Sequence, residues 1–240
     1  MWATFKMVAV FVVLGIPAGF VGMPWTLLSR RIRWMYRAGA WIANAGLRAS
    51  GIRIVQTGRE HIPADRACIY MANHVSNLDP PLLIPLLPGT PSVMLKSELM
   101  KIPVLGPAMR MARFVPVERD GGRAGAVRSA RVAVEVVASG LSMLIFAEGT
   151  RSRDGRLQPF KAGPFHLSQS TGAPIVPVVL HGTQLMMRKG SARVYPGVAH
   201  VQFLPAIDPA QFATSAQLMA AVRSAMVDAL PEDMRPLDTA

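Results

Sequence analysis

The chain has 240 residues, a formal net charge of +12 and a mean hydropathy of +0.30. This length suits one large domain with a buried core, and its only cysteine, Cys68, excludes an internal disulfide and a cysteine-rich metal site. The positive charge predicts an anionic partner, and the high hydropathy with few aromatic residues favours an anionic phospholipid membrane over nucleic acid.

Residues 1–50 are predicted to form a membrane-associated helical segment. Residues 7–28 carry no charge, and as a straight helix they would extend roughly 33 Å, about the thickness of the hydrocarbon core of a bilayer. Internal glycines and prolines would kink or break this helix, so a hairpin embedded in one leaflet is an alternative to a helix that crosses the bilayer. A cleaved signal peptide is a third interpretation, disfavoured because no Ala-x-Ala site follows at the right place.

Residues 29–50 combine arginines with aliphatic and aromatic side chains. This composition is typical of a helix lying at the level of the lipid headgroups, and a helix packed on the following domain would have the same composition. By the positive-inside rule, the arginines hold the rest of the chain on the cytoplasmic side.

Residues 51–232 are predicted to form one α/β domain. Short β-rich runs alternate with helical ones, which predicts a mostly parallel mixed sheet covered by helices. The predicted strands are residues 52–55, 67–71, 93–95, 114–117, 141–146 and 175–180. The predicted helices are residues 80–87, 103–112, 123–139 and 163–170.

The C-terminal part of this domain is predicted to add a hairpin and a helix. Residues 193–195 and 200–204 are expected to pair antiparallel around Pro196-Gly197. Residues 214–217 resemble a capping box that opens a last helix. Residues 233–240 show no periodicity and are predicted to form a loose tail.

His74 and Asp79 lie on the connection between a predicted strand and a predicted helix. Residues five apart on one continuous helix point away from each other, so the pair can meet only if the chain turns between them, and Pro80 favours such a turn. A histidine held by a carboxylate can act as a general base, with the carboxylate fixing its tautomer. As an alternative, Asp79 is an ordinary N-cap and His74 is structural.

A second group of residues suits a phosphate. Residues 147–152, Ala-Glu-Gly-Thr-Arg-Ser, follow a predicted strand. Glycine admits close approach of the backbone to a ligand, while threonine and arginine donate hydrogen bonds. A solvated charged loop is the alternative. Because parallel strands end at one edge of a sheet, we expect Lys96, Arg119 and Arg151 to lie near His74.

The order of these motifs resembles that of the lysophosphatidic acid acyltransferases, in the glycerolipid acyltransferase family. The matching blocks are residues 73–79, 114–119, 146–152 and 173–178, and the resemblance covers residues 50–205. It implies that His74 is the general base and Asp79 its orienting carboxylate. The expected acceptor-phosphate site consists of Arg119, Glu148, Gly149, Thr150 and Arg151. Lys96 is added to it because of its expected position at the same edge of the sheet. The expected supporting residues are Asn73, Lys161 and Pro177.

The implied reaction moves a fatty acyl group from an acyl thioester, acyl-CoA or acyl-ACP, to the free sn-2 hydroxyl of lysophosphatidic acid. It yields phosphatidic acid for phospholipid biosynthesis and needs no covalent acyl-enzyme and no cofactor beyond the thioester co-substrate. No metal is expected, since the five histidines also lack the spacing of catalytic zinc sites. The N-terminus is similar to that of bacterial members, which implies an enzyme of the cell inner membrane with its catalytic domain on the cytoplasmic side.

Two alternatives to this reaction stay open. The same site could acylate another lyso-lipid, such as a lyso-ornithine lipid. A non-catalytic basic protein of the membrane surface would explain the charge and the N-terminus, but it would leave His74 and Asp79 without a role.

Overall fold

An apolar helical hairpin opens the chain, which a computed structural model describes over residues 1–29, 31–118 and 122–237. The hairpin consists of α1 (Trp2–Val10), a π-helical turn (Phe11–Gly15), α2 (Ile16–Ser29) and α3 (Ile32–Ala49). The first three of these form one arm, and α3 forms the other. Residues 1–50 are therefore largely helical in their described part, as predicted.

The two arms of the hairpin are antiparallel. Ser50, which follows α3, donates a hydrogen bond to the carbonyl of Ala3 at 3.1 Å, while Trp34 near the start of α3 lies against Gly22. The first arm, Trp2–Ser29, is long and apolar enough to cross a membrane by length and composition. An 18-residue window of it has a mean hydropathy of 2.1, and only 17% of that window is buried. Most of its apolar side chains therefore face away from the protein.

The second arm of the hairpin packs on the α/β domain. Ile42 and Leu47 are buried on one side of α3, whereas Trp41 is exposed on the other. The hydroxyl of Tyr36 donates to the carbonyl of Pro91 at 3.0 Å. Of the two interpretations offered for this helix, the structure shows packing on the domain.

Seven strands form one mixed sheet in the described part of the chain. They are β1 (Ile52–Thr57), β2 (Ile69–Ala72), β3 (Ser92–Lys96), β4 (Val115–Val117), β5 (Met143–Phe146), β6 (Ile175–His181) and β7 (Gly197–Phe203). The order across the sheet is β1-β7-β6-β2-β5-β3-β4. Neighbouring strands are parallel except for β6 and β7, which are antiparallel. This confirms the predicted mostly parallel mixed sheet.

Helices cover both faces of the sheet. The remaining α-helices are α4 (Asp79–Leu83), α5 (Leu105–Met111), α6 (Gly122–Ala138), α7 (Gly163–Thr171), α8 (Thr183–Met186) and α9 (Ser215–Ala229). Side chains of β2 alternate between two cores: Ile69 and Met71 pack with α6, α7 and α9, whereas Tyr70 and Ala72 pack with α3 and α4. A strand buried on both faces must be apolar throughout, as this one is.

The predicted hairpin at residues 193–204 is wrong. Residues 193–195 form no strand, and β7 pairs antiparallel with β6 and parallel with β1 instead. The backbone groups of the expected first strand have other partners: Val194 N–H donates to Thr4 Oγ1 at 2.8 Å, and Tyr195 N–H donates to the carbonyl of Met186 at 2.9 Å. The edge strand β1 and the inner strand β6 therefore pair with β7 in place of the expected local partner.

The described part of the predicted loose tail is packed rather than loose. Met234 is only 2% exposed, and its carbonyl accepts a hydrogen bond from Leu157 N–H at 2.9 Å. A short 3-10 helix (Glu232–Met234) follows α9, whose N-cap Thr214 accepts from Gln217 N–H as the capping motif predicts. The last three residues, 238–240, lie outside the described residues.

Candidate active site

His74 and Asp79 form a hydrogen-bonded pair at the carboxyl end of β2. His74 Nδ1 lies 2.8 Å from Asp79 Oδ2, and the backbone N–H groups of Val75 and Ser76 donate to the same oxygen, each at 2.8 Å. The hydroxyl of Thr183 donates to the other oxygen, Oδ1, at 2.6 Å. Four groups therefore hold one fully buried carboxylate, and with Nδ1–H donating to it, Nε2 of the neutral imidazole is left as an acceptor.

Asp79 orients His74 rather than capping α4. Leu78 occupies the N-cap position, and Asp79 is the first residue of the helix, followed by Pro80. Its side chain points back over the turn between His74 and Ser76 instead of toward the helical N–H groups. The predicted turn is present, and it brings the two side chains together.

The imidazole and backbone of His74 are fixed from other sides as well. The ring stacks on Phe146, with 4.0 Å between centroids and 24° between planes. The backbone N–H donates to Glu148 Oε1 at 2.7 Å, and the carbonyl accepts from Ser152 N–H at 2.8 Å. Since the side chain is 15% exposed, the ring is held firmly yet reaches the surface.

Glu148 connects two loops of the site, and its predicted place in the phosphate site stays a prediction. The residue is 2% exposed, and its two oxygens accept from the backbone N–H groups of His74 and Gln158, the latter at 2.9 Å. Burial raises the pKa of Glu148 to about 7, against the opposing effect of these two hydrogen bonds. Through these two hydrogen bonds Glu148 ties the loop after β5 to the loop that carries His74.

A basic cleft of about 470 Å³ opens beside Glu148. Its lining includes Thr150, Arg151, Lys161 and Lys189, with Arg153, Asp154 and Gln158 on the same wall. Arg151 Nη1 is buried and has no hydrogen-bond partner within the described residues, whereas the carbonyl of Arg151 accepts from Lys189 Nζ at 2.6 Å. A buried guanidinium nitrogen in need of an acceptor, with further cations around it, suits an anionic oxygen.

Gly149 gives the cleft its backbone shape. Its φ is +71°, a left-handed backbone conformation that residues other than glycine rarely adopt. A Cβ at this position would lie 3.3 Å from Lys161 Cγ. Lys161 is anchored through its own N–H, which donates to the carbonyl of Ala147 at 2.9 Å. The sequence-predicted residues Gly149, Thr150, Arg151 and Lys161 are therefore all brought to this cleft.

Lys96 lies at the same edge of the sheet but outside the lining of the cleft. The strand register sets Ser92 of β3 level with Ile69 of β2 through Met143, which places Lys96 level with Asn73. Two strand spacings separate them, or roughly 10 Å. Lys96 is exposed and forms an ion pair with Glu98 at 3.0 Å.

The remaining predicted cation, Arg119, follows β4 and lies outside the described residues. Its place in the phosphate site stays a prediction.

Two of the expected supporting residues stabilise the centre of the sheet. The side chain of Asn73 hydrogen-bonds both backbone groups of Leu180, at 2.9 Å and 2.7 Å, and so joins the ends of β2 and β6. Pro177 lies in β6 opposite Met71, and its carbonyl accepts from Leu204 N–H at 2.9 Å. A role for Pro177 near the acyl donor stays a prediction.

Residues 182–189, between β6 and β7, contain functional positions that sequence reasoning missed. Thr183 holds Asp79, the carbonyl of Met187 accepts from Ser76 Oγ at 2.9 Å, and Lys189 holds the carbonyl of Arg151. This segment therefore braces both the His-Asp pair and the basic cleft. Its position directly after a parallel strand that ends at the site edge was the available signal.

Cys68 and Ser76 lie close to His74 in sequence and carry nucleophilic groups, but neither is placed to attack a substrate. Cys68 directly precedes β2 and is fully buried, and burial raises the pKa of its thiol. The hydroxyl of Ser76 is engaged with the carbonyl of Met187. Among the described residues, no group of three or more histidines, cysteines or carboxylates is arranged to hold a metal ion.

Known proteins share this sequence pattern and fold. A family model described as Acyltransferase matches residues 53–181, more than half of the chain. A 1-acyl-sn-glycerol-3-phosphate acyltransferase of Limnanthes douglasii is 39% identical over 188 residues, covering 78% of this chain and 65% of that protein. The 1-acyl-sn-glycerol-3-phosphate acyltransferase alpha of Homo sapiens is 33% identical over 158 residues, covering 65% of this chain and 56% of that protein.

A solved structure is similar over nearly the whole chain. The 1-acyl-sn-glycerophosphate acyltransferase PlsC of Thermotoga maritima superimposes with a TM-score of 0.81 at 28% sequence identity, covering 93% of this chain and 91% of that one. The chain spans 65% of the length of the Limnanthes relatives that it matches. The family match over residues 53–181, carried on this fold, shows that the chain belongs to the Acyltransferase family.

Proposed function

We propose that the protein is a membrane-bound 1-acyl-sn-glycerol-3-phosphate acyltransferase. It moves a fatty acyl group from an acyl thioester to the sn-2 hydroxyl of lysophosphatidic acid and forms phosphatidic acid. One observation carries this proposal: the His74–Asp79 pair and the basic cleft share one set of loops, because Glu148 bonds to the backbone of His74 and also borders the cleft. Relatives that are named for this reaction support it.

His74 acts as the general base in this mechanism. Nε2 takes the proton of the acceptor hydroxyl while the hydroxyl oxygen attacks the thioester carbonyl carbon, so that a C–O bond forms and the C–S bond then breaks. The departing thiolate receives the proton back from the imidazolium. Asp79 stabilises that imidazolium, and the four hydrogen bonds to its carboxylate keep it in place through the cycle.

The basic cleft binds the phosphate of the acceptor. Arg151 offers its unpartnered Nη1, and Thr150, Lys161 and Lys189 add a hydroxyl and two charges around it. Binding energy from the phosphate holds the sn-2 hydroxyl against His74 and so lowers the entropic cost of reaction. Lys96 extends this positive field along the same edge of the sheet. Arg119 is expected to add to it, as the sequence predicts.

The acyl donor is a thioester of coenzyme A or of acyl carrier protein. Both carriers are acidic, and the net charge of +12 attracts either. The mechanism needs no further cofactor, because the thioester supplies the activated carbonyl.

The N-terminal hairpin anchors the enzyme in the membrane. Its first arm is apolar, long enough to cross a bilayer and mostly exposed outside the protein, and arginines at residues 31, 33 and 37 follow it directly. Under the positive-inside rule this arrangement keeps the catalytic domain on the cytoplasmic side, in a cell inner membrane.

The direct test is an acyl-transfer assay with the purified full chain, lysophosphatidic acid and a long-chain acyl-CoA. We expect His74→Ala to lower kcat/KM by about 10²- to 10⁴-fold, the usual contribution of a general base. His166→Ala is the matched control, since His166 is exposed on α7. If the wild type and His74→Ala form phosphatidic acid at the same rate, His74 is not the general base.

A further inference from the structure

The segment that joins β3 to α5, together with the first residue of α5, presents apolar side chains to the surroundings of the protein. Leu99, Ile102, Val104 and Leu105 are each between 40% and 45% exposed, and residues 101–105 are exposed without interruption. Single exposed apolar residues are common on soluble proteins, but a contiguous group is typical of an interaction surface. These four residues form what we call the apolar turn.

The apolar turn is continuous with the exposed face of α2. Val104 lies so close to Gly19 that a Cβ on the glycine would be 2.5 Å from Val104 Cγ1. Ile16 and Phe20, on either side of this contact, are 52% and 74% exposed. The turn therefore extends the apolar surface of the N-terminal hairpin onto the α/β domain.

The backbone of Val104 is strained in a way that keeps its side chain on α2. Its φ is +64°, a conformation that β-branched residues seldom adopt. Gly106, two residues later, is as tightly constrained, because a Cβ there would collide with the carbonyl of Met100. A flexible surface loop would relax such a conformation, so the shape of the turn is held by its surroundings.

Basic side chains lie next to the apolar turn. Lys101, Arg110 and Arg113 line a groove of about 550 Å³ beside it. The two carboxylates of the same groove, Glu118 and Glu135, each form an ion pair with an arginine of α6. An apolar tip backed by cations has the composition of a surface that enters the headgroup region of an anionic bilayer.

We propose that the apolar turn is a second membrane-contacting surface, which enters an anionic phospholipid bilayer beside α2. This inference rests on the proposed membrane association of the N-terminal hairpin and extends it to the catalytic domain. Because only Ser97 and Glu98 separate Lys96 from the apolar turn, its insertion fixes the active-site edge of the sheet at the height of the lipid headgroups. Lysophosphatidic acid then reaches the basic cleft without leaving the membrane surface.

Site-directed fluorescence on the full chain tests the proposal. Cys68 is fully buried, so a cysteine introduced at the surface takes the label selectively. We would attach an environment-sensitive nitrobenzoxadiazole label to Leu105→Cys, to Val13→Cys in the first arm of the hairpin, and to Val127→Cys on α6. Val127 is 61% exposed and lies on a helix that covers the opposite face of the sheet from α3.

The measurement compares label emission in buffer with detergent and in vesicles of phosphatidylcholine and phosphatidylglycerol. We expect the labels at positions 105 and 13 to brighten, shift to the blue and be quenched by doxyl-labelled lipids. The label at position 127 should show none of these three changes. Ile102→Cys should behave as Leu105→Cys does, which guards against a local folding defect in one variant.

The outcomes separate this proposal from the function on which it rests. A label that enters the bilayer at position 13 but stays in water at positions 102 and 105 overturns the second surface and leaves the anchored hairpin intact. Labels that stay in water at all positions overturn the membrane association itself. Insertion of the label at position 127 as well would show nonspecific adsorption and likewise refute the assignment.

As a second readout, Ile102→Gln combined with Leu105→Gln should weaken partitioning into the same vesicles by about tenfold, because two partly exposed apolar side chains lose their transfer into the bilayer. Val127→Gln should leave partitioning unchanged. Equal partitioning of the double variant and the wild type would contradict the proposal.

Discussion

Replacing Thr183 with valine would remove the hydroxyl that donates to Asp79 Oδ1 at 2.6 Å. Both residues are fully buried, and within the described residues no second hydrogen bond reaches this oxygen. The substitution nearly preserves the volume of the side chain, so its effect comes from the lost donor. A hydrogen bond to a charged group contributes about 1.5–3 kcal/mol.

This loss should appear in both stability and catalysis. We expect the free energy of unfolding to fall by about 1.5–3 kcal/mol. In the proposed mechanism the charge on Asp79 stabilises the imidazolium, so if the same energy is lost from the transition state, kcat falls by about ten- to hundredfold. KM for lysophosphatidic acid should change little, because Thr183 does not line the basic cleft.

Urea unfolding and steady-state acyl transfer measure the two effects. Thr183→Ser keeps the hydroxyl and should restore most of kcat. Thr171→Val is the control, since the hydroxyl of Thr171 donates to a neutral acceptor, the carbonyl of Leu167, on α7. If Thr183→Val keeps the wild-type kcat and loses no more stability than Thr171→Val, the hydroxyl does not position the catalytic carboxylate.

Two other substitutions test the cleft and the buried carboxyl. Arg151→Ala should raise KM for lysophosphatidic acid by about ten- to hundredfold, since a charge-assisted hydrogen bond of about 1.5–3 kcal/mol is lost, and should matter much less for a lyso-lipid without a phosphate monoester. Burial raises the pKa of Glu148 from 4.5 to about 7, so the folded protein binds this proton more tightly than the unfolded chain does. That stabilising contribution is complete below about pH 4.5 and is lost as the pH rises through about 7, for a total of about 3 kcal/mol. Urea unfolding at a series of pH values measures this effect. As the pH rises through about 7, the free energy of unfolding should fall less for Glu148→Gln than for the wild type.

The controls for these two predictions are separate. Arg123→Ala, at an exposed position of α6, should leave KM for lysophosphatidic acid unchanged, and an equal rise for Arg151→Ala and Arg123→Ala would show a general charge effect. For Glu148, the free energy of unfolding could depend on pH in the same way in the wild type and in the glutamine variant. That result would mean that the carboxyl has the same pKa in the folded and the unfolded chain.

The strands, helices and His-Asp pair were predictable because their signals are local. Apolar runs such as Ile69–Ala72 are bounded by turn residues, and a proline after Asp79 forces the turn that brings it to His74. The rule that parallel strands end at one edge then grouped His74 with Arg151. No distant contact had to be known for any of these steps.

The failures have a common physical cause, which is burial set by distant parts of the chain. The hydrogen bonds that Glu148 accepts from the backbone N–H groups of His74 and Gln158 could not be predicted, because His74 lies in a loop 74 positions away. Thr183 belongs to no motif and acts across 104 sequence positions. The supposed strand at 193–195 lost its partner because β7 is held between β1 and β6.

The reversal of direction between β6 and β7 determines where the N-terminal hairpin joins the domain. Since β7 runs against β6 and β1 follows β7, the amino end of β1 lies at the same edge as the carboxyl end of β2. Only Ser50 and Gly51 separate α3 from β1. In the proposed membrane-bound state, the hairpin is thus a spacer of fixed length between the lipid and the reacting hydroxyl, and lengthening this two-residue link would lift the enzyme away from its substrate.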